Sequence, residues 1–287
     1  MEKPKQILSC LVVAENKSGH ALLRHETKLR LLTHIFQNRG IDYEFTERKD
    51  LKIPKINKWD LVVTLGEDKT FLTASNLIQG KTSVLGVHIN PDSETYFLAT
   101  SALNLEQTIN QILDGHLQPI SLPRIKVKGK PYFSLADLYF GRNQGWRTSK
   151  YALLLENGTW EHQQSSGVII TTGLGSTGGY GSITGDDLFS PLSPELRFII
   201  WAPYLVGRLT TTTKVKGKIT KDKPLFLRNL VEKGMIFSYD SNIESQVEFD
   251  EIIQIDYVSN SLAVYNPLFY QTFLQHRKTI YNSEATS

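Results

Sequence analysis

Three short apolar runs dominate the first third of the chain: "ILSCLVVA" (7–14), "WDLVVTLG" (59–66) and "SVLGVHI" (83–89). Each is short for a helix and too uniformly apolar for a strand with one face in water, which points to strands buried on both sides. Between them the spacing changes. Leu22, Leu29, Leu32 and Phe36 recur at helical intervals until Asn38–Gly40 ends the pattern, and "TFLTASNLIQG" reads as a second helix closing at Gly80. Strands alternating with helices imply a parallel sheet covered on both faces. In such sheets ligands sit beyond the carboxyl ends of the strands, here the residues after Ala14, "LGEDKT" and "HINPDSE".

After Pro119 and Pro123 the rhythm becomes that of short β segments. "YALLLENGTWEH" sets Asn157-Gly158 between two strand-like arms, a strong hairpin signal. "SGVIITTG", "LRFIIWAP", "TKVKGKIT", "GMIFSYD" and "DEIIQIDYVS" extend the β pattern. The organisation expected is an α/β domain over 1–120, an antiparallel β-rich domain over 121–265, and an aromatic-rich tail over 266–287 that packs back on the body or on a partner subunit.

Bulk properties exclude several classes. A chain of 287 residues with a formal charge of +3 lacks the strongly basic balance of a nucleic-acid binder. No apolar run approaches the length of a membrane span, and "ILSCLVVA" is followed by Glu15 and Asn16 rather than by a signal-peptide cleavage site. The single cysteine, Cys10, rules out an internal disulfide and reads as a small buried apolar residue. The expected location is cytoplasmic. The histidines show no metal-ligand spacing, so no metal site is expected of them; His20, His25 and His34 read as polar positions of the first helix. Lys214, Lys216 and Lys218 fall on one face of a strand and read as the protected edge of a sheet. Asp186-Asp187 reads as the acidic start of a helix.

"SSGVIITTGLGSTGGYGSI" (165–183) carries six glycines directly after an apolar run. Glycine density of this kind serves tight turns or close approach of the backbone to another group. Both this turn and "LVVTLGEDKT" follow buried strands and can turn backbone N–H groups and hydroxyls toward anionic oxygens. Neither matches the phosphate-binding fingerprints G-x-x-x-x-G-K-[ST] or G-x-G-x-x-G.

Taken in order, these segments resemble the NAD kinase family, whose first domain carries a Gly-Gly-Asp-Gly turn and whose second carries a Thr-Gly-Ser-rich loop. "RTSKYALLLENGTWEHQQSSGVIITTGLGST" is most similar to the mitochondrial-type branch. "LGVHINPDSETYFLA" and "SQVEFDEIIQIDY" resemble segments that lie before and after that loop in the family. The resemblance implies the two-domain architecture of that family and transfer of a phosphoryl group, usually from ATP with Mg²⁺, to the 2′-hydroxyl of the adenosine ribose of NAD. A sugar hydroxyl is a poor nucleophile, so a carboxylate able to accept its proton is required. By resemblance Asp68 is that base. Gly66, Glu67, Lys69, Thr70, His88, Asp137, Ser166, Thr172, Gly173, Gly175, Ser176, Thr177 and Gly178 fall at positions of the nucleotide-binding segments. Bare backbone in the glycine loop would let the dinucleotide lie close. The resemblance also implies a homo-oligomer, dimer or tetramer, with small nucleotides as its ligands.

The chain departs from the family at several of these positions. Glu67 and Lys69 replace motif glycines, which would strain any turn needing positive φ there. Lys69 is placed either to meet a phosphate or to pair with Asp68 or Glu67 and fill the site. The family's Asn-Glu pair falls at Ala136-Asp137. Leu174 replaces a small polar residue, and Gly179 replaces an aromatic, with Tyr180 one position late. Two other readings therefore stand beside the kinase: a dinucleotide-binding protein that has lost catalysis, and a lipid or sphingoid kinase on a similar plan.

Overall fold

The computed structural model describes residues 7–15, 20–89, 100–101, 104–145, 147–185, 188–205 and 212–265. Contacts divide the chain into two units, Met1–Ser121 with Leu262–Ser287, and Leu122–Ser261.

The first unit is α/β. Its strands are β1 (Ser9–Ala14), β2 (Asp42–Glu47), β3 (Leu61–Gly66), β4 (Ser83–His88) and the short β5 (Thr100–Ser101). β1 pairs in parallel with β2 and β3, β3 with β4, and β4 with β5. β1 and β3 are mostly apolar and buried because helices cover both faces. Leu32, Ile35 and Phe36 of α1 (His20–Arg39) meet Cys10, Val12, Leu61, Val63 and Leu65 in one core cluster. Burial pushes the Cys10 thiol far above its ordinary pKa, as expected of a core residue rather than a nucleophile. The short α2 (Ile53–Ile56) buries Ile56, and α3 (Asp68–Leu77) packs on β1, β3 and β4. α4 (Leu105–Leu113) lies in a stretch where no element was predicted, yet Leu105, Ile109 and Ile112 have helical spacing and join the core of α1. β2 also went unpredicted, since "DYEFTE" is polar; among the described residues it pairs only with β1, at the edge of the sheet.

The second unit is antiparallel β. Its strands are β6 (Ile120–Val127), β7 (Phe133–Ser134), β8 (Asp137–Arg142), β9 (Ser149–Leu154), β10 (Trp160–Ser165), β11 (Gly167–Thr171), β12 (Leu196–Trp201), β13 (Lys216–Ile219), β14 (Leu225–Asn229), β15 (Met235–Tyr239), β16 (Ile243–Gln246) and β17 (Ile252–Tyr265). One sheet runs β13-β12-β11-β8-β15-β16, antiparallel throughout. Opposite it, β10, β9, β14 and β17 pair antiparallel in sequence, and β6 joins β17. Inward residues alternate along each strand, as at Leu138 and Phe140, Val168 and Ile170, or Leu196, Phe198 and Ile200, and they share one core with Tyr151, Leu227 and Ile255. β9 and β10 form the hairpin around Asn157-Gly158, with Gly158 at φ 81°.

β17 changes neighbours along its length. Its first part pairs with β14, whereas Ala263–Tyr265 run parallel to Ser83–Leu85 of β4 and belong to the first unit. The described residues of the first unit's second segment thus add a strand to its parallel sheet. The short helix α5 (Gly179–Thr184) follows the glycine loop. Lys216 and Lys218 lie on the edge strand β13, while Lys214 precedes it. Asp186-Asp187 and the tail 266–287 lie outside the described residues.

Candidate functional site

In the first unit the predicted residues gather at the carboxyl edge of the parallel sheet. Gly66 ends β3 and stands in register with His88, which ends β4. Glu67 links β3 to α3, and Asp68 is the acid in the first turn of that helix, where the helix's positive end favours a negative group. Thr70 folds back over the turn: its N–H donates to the Glu67 carbonyl at 2.9 Å. A Cβ on Gly66 would lie 2.8 Å from the Thr70 hydroxyl, so glycine is kept at 66 to seat Thr70. That hydroxyl is buried and has no hydrogen-bond partner among the described residues.

The turn corrects the expectation of strain. Glu67 has φ −107° and ψ 176°, extended backbone open to any residue, and Lys69 lies within the helix rather than in a left-handed turn. Neither position needs glycine for conformational reasons. Lys69 is exposed, accepts the Thr73 hydroxyl on its carbonyl, and makes no ion pair among the described residues, so it does not close the turn by pairing with Asp68 or Glu67. Glu15, just past β1, pairs with Arg48, just past β2, at 3.2 Å on the same edge. Those two charges carried no motif signal in the sequence.

In the second unit Thr172, Gly173, Gly175, Ser176, Thr177 and Gly178 form a compact turn between β11 and α5. The Thr172 and Ser176 hydroxyls are spent internally. Thr172 Oγ1 donates to the Leu135 carbonyl at 2.8 Å and accepts the Gly175 N–H, and Ser176 Oγ donates to the Gly173 carbonyl at 2.7 Å. The glycines have internal reasons too. A Cβ on Gly173 would lie 1.9 Å from the Ser190 carbonyl oxygen, and one on Gly175 would lie 2.5 Å from the Ala136 carbonyl oxygen. The bare backbone reading therefore needs amending, because at these positions the chain's own backbone occupies the space. Tyr180 is fully buried against Phe189 and offers no open stacking face.

Ser166 is not brought to this loop. It precedes β11, whose five residues span roughly 17 Å at ~3.3 Å each, and the loop follows the strand. Its carbonyl instead accepts the Tyr139 hydroxyl at 2.7 Å.

Asp137 starts β8 directly beside the loop. Its Oδ1 would lie 2.6 Å from a Cβ on Gly175 and its Oδ2 2.9 Å from one on Gly178, so the carboxyl is wedged against the glycine backbone. Oδ1 is shielded from solvent without a hydrogen-bond partner among the described residues. Burial pushes the Asp137 pKa up to about 7; the Thr171 hydroxyl and the Gly179 N–H oppose the rise, and the neighbouring Asp240 carboxylate adds to it.

Asp240 was missed in the sequence. Buried in the hairpin after β15, it accepts the N–H groups of Leu135, Ala136 and Asp137 at 2.7–3.0 Å and the Ser134 hydroxyl at 3.0 Å. Burial raises its pKa, and these hydrogen bonds oppose the rise. Its φ of 49° followed by 55° at Ser241 gives a tight turn, and "YDSN" between two β runs was the signal available.

Among the described residues no group of three or more His, Cys, Asp or Glu side chains is placed to hold a metal ion, and no helix is long and apolar enough to cross a membrane.

No protein-family model matches the chain. Individual relatives do. A probable NADH kinase of Oryza sativa subsp. japonica is 26% identical over 257 residues, covering 80% of this chain and 78% of the relative. The mitochondrial NAD kinase 2 of Homo sapiens is 25% identical over 226 residues, 61% of this chain and 51% of the relative. Among solved structures, an NAD kinase of Archaeoglobus fulgidus in complex with ATP superposes with a TM-score of 0.70 at 17% identity, covering 93% of this chain and 98% of that one. The fold, an α/β parallel-sheet unit with an antiparallel β unit, is that of these enzymes.

Proposed function

We propose, on the premise that this chain groups with the NAD kinases it resembles in sequence and fold, that it is a phosphotransferase moving a phosphoryl group from ATP to the 2′-hydroxyl of the adenosine ribose of NAD or NADH. The observation that carries the reading is Asp68. It combines likeness to NADH kinases over 80% of the chain with a carboxylate at the carboxyl edge of the parallel sheet, on the first turn of α3.

In this reading Asp68 accepts the ribose hydroxyl proton as that oxygen attacks the terminal phosphorus, and the bond from phosphorus to the bridging oxygen breaks. Gly66 and Thr70 fix the turn that aims the carboxylate. Lys69, exposed and without an ion pair among the described residues, is available to meet the donor phosphates. His88 lines the same edge. The glycine loop from Thr172 to Gly178 and Asp137 are assigned to dinucleotide binding by resemblance to the family. Mg²⁺ enters as part of the MgATP substrate. We take the enzyme to act in the cytoplasm and as a dimer or tetramer; light scattering tests the oligomeric state.

The test is formation of the 2′-phosphorylated product from NAD or NADH with MgATP. Asp68→Asn should lower kcat by about 10²–10⁴-fold and leave the thermal midpoint unchanged. Dinucleotide binding without turnover would leave a binding protein in place of an enzyme. No nucleotide binding, or phosphorylation of dispersed lipids instead, would overturn the proposal.

A further inference from the structure

The end of the second unit remote from the glycine loop gathers positive charge. Arg142 ends β8, the strand that Asp137 begins, so the two lie roughly 17 Å apart at ~3.3 Å per residue. From Arg142 to Lys150 the chain reads "RNQGWRTSK", three cations and no acid. The turn before β15 adds Lys233, because β15 pairs antiparallel with β8 and sets Met235 opposite Arg142. Backbone hydrogen bonds join the pieces: Asn143 N–H to the Gly234 carbonyl at 2.9 Å and Leu230 N–H to the Lys150 carbonyl at 3.1 Å.

Arg142, Arg147, Thr148, Lys150, Glu232 and Lys233 border a cleft of about 620 Å³. None of its four cations forms an ion pair among the described residues. Arg142 donates through Nη1 to the Lys233 carbonyl, yet its Nε–H is shielded from water with no acceptor among the described residues. Like charges gathered in one cleft repel, and a bound anion relieves that repulsion. The cleft lies within the range of small-molecule pockets, too large for one phosphate, and its exposed Arg147, Lys150 and Lys233 suit phosphate oxygens.

We propose that this cleft is a second anion site, for a diphosphate-bearing ligand, separate from the residues assigned to phosphoryl transfer and independent of that assignment. Inorganic pyrophosphate is the probe, titrated at constant ionic strength set with sodium chloride while the arginine Nε–H resonances of the full chain are followed by NMR. The Arg142 resonance should shift saturably. The paired variant Arg147→Gln with Lys233→Gln should weaken that binding by roughly tenfold or more while leaving the circular dichroism spectrum and NAD phosphorylation unchanged. Lys150→Gln, the milder variant, should weaken it in the same direction. Unchanged affinity in both variants, an equal response to added chloride alone, or pyrophosphate binding that leaves Arg142 unmoved would overturn the site.

Discussion

At the scale of single residues, Asp137 makes the sharpest prediction. Its folded pKa is pushed up to about 7 from an ordinary value of 3.8, so between those pH values the folded chain holds a proton that the unfolded chain has released. Stability associated with this group therefore falls as pH rises from about 4 to about 7 and stays low above, by at most on the order of 4 kcal/mol. Asp137→Asn, which removes the titration, should raise the urea midpoint at pH 8 and have little effect at pH 4.5; equal effects at both would mean that the carboxyl titrates normally. The glycines divide in the same way. Gly173→Ala puts a Cβ into the Ser190 carbonyl and should cost about 1–3 kcal/mol, whereas Gly179→Ala meets only Ile169 Cδ1 at 3.6 Å and should be neutral or slightly stabilising. Composition showed that glycine mattered in this loop. It could not show which neighbour each one makes room for, since Ser190 and Ala136 are distant in sequence.

At the scale of elements, the short bend from Ser134 to Asp137 is held by one side chain. Asp240 satisfies three successive N–H groups there, and the bend in turn supplies the Leu135 and Ala136 carbonyls that accept the Thr172 hydroxyl and N–H. Asp240→Ala should therefore cost about 3 kcal/mol in urea unfolding, and under the proposed function should raise KM for the dinucleotide more than it lowers kcat. Strands with strong periodicity were legible: β1, β3, β4 and the β9–β10 hairpin follow from apolar runs and an Asn-Gly turn. β2 was not, because an edge strand beside a covered sheet carries few apolar residues. The Gly66–Thr70 turn was legible as a place but not as a conformation. Glycines in a motif imply positive φ, while the extended Glu67 shows that steric room for Thr70 is the requirement at Gly66.

For the whole molecule, the order of units followed from the change of rhythm near Pro119, but the return of the chain to the first sheet did not. Nothing in "SLAVY" distinguishes a residue pairing with β14 from one pairing with β4. A global test of the proposed function is linkage: a ligand at one hundred times its Kd adds about 2.7 kcal/mol to stability, so NAD or NADH should raise the melting temperature of the wild type and of Asp68→Asn alike. No rise in either would remove dinucleotide binding from the account. The placement of Ala263–Tyr265 beside Ser83–Leu85 also governs how the protein is made. Domains usually fold in the order in which they leave the ribosome. Here the opening sheet must wait for its closing strand, so the nascent chain carries an unfinished β4 edge through translation of the entire second unit, and a ribosome stalled there would display that edge to any chaperone or neighbouring strand.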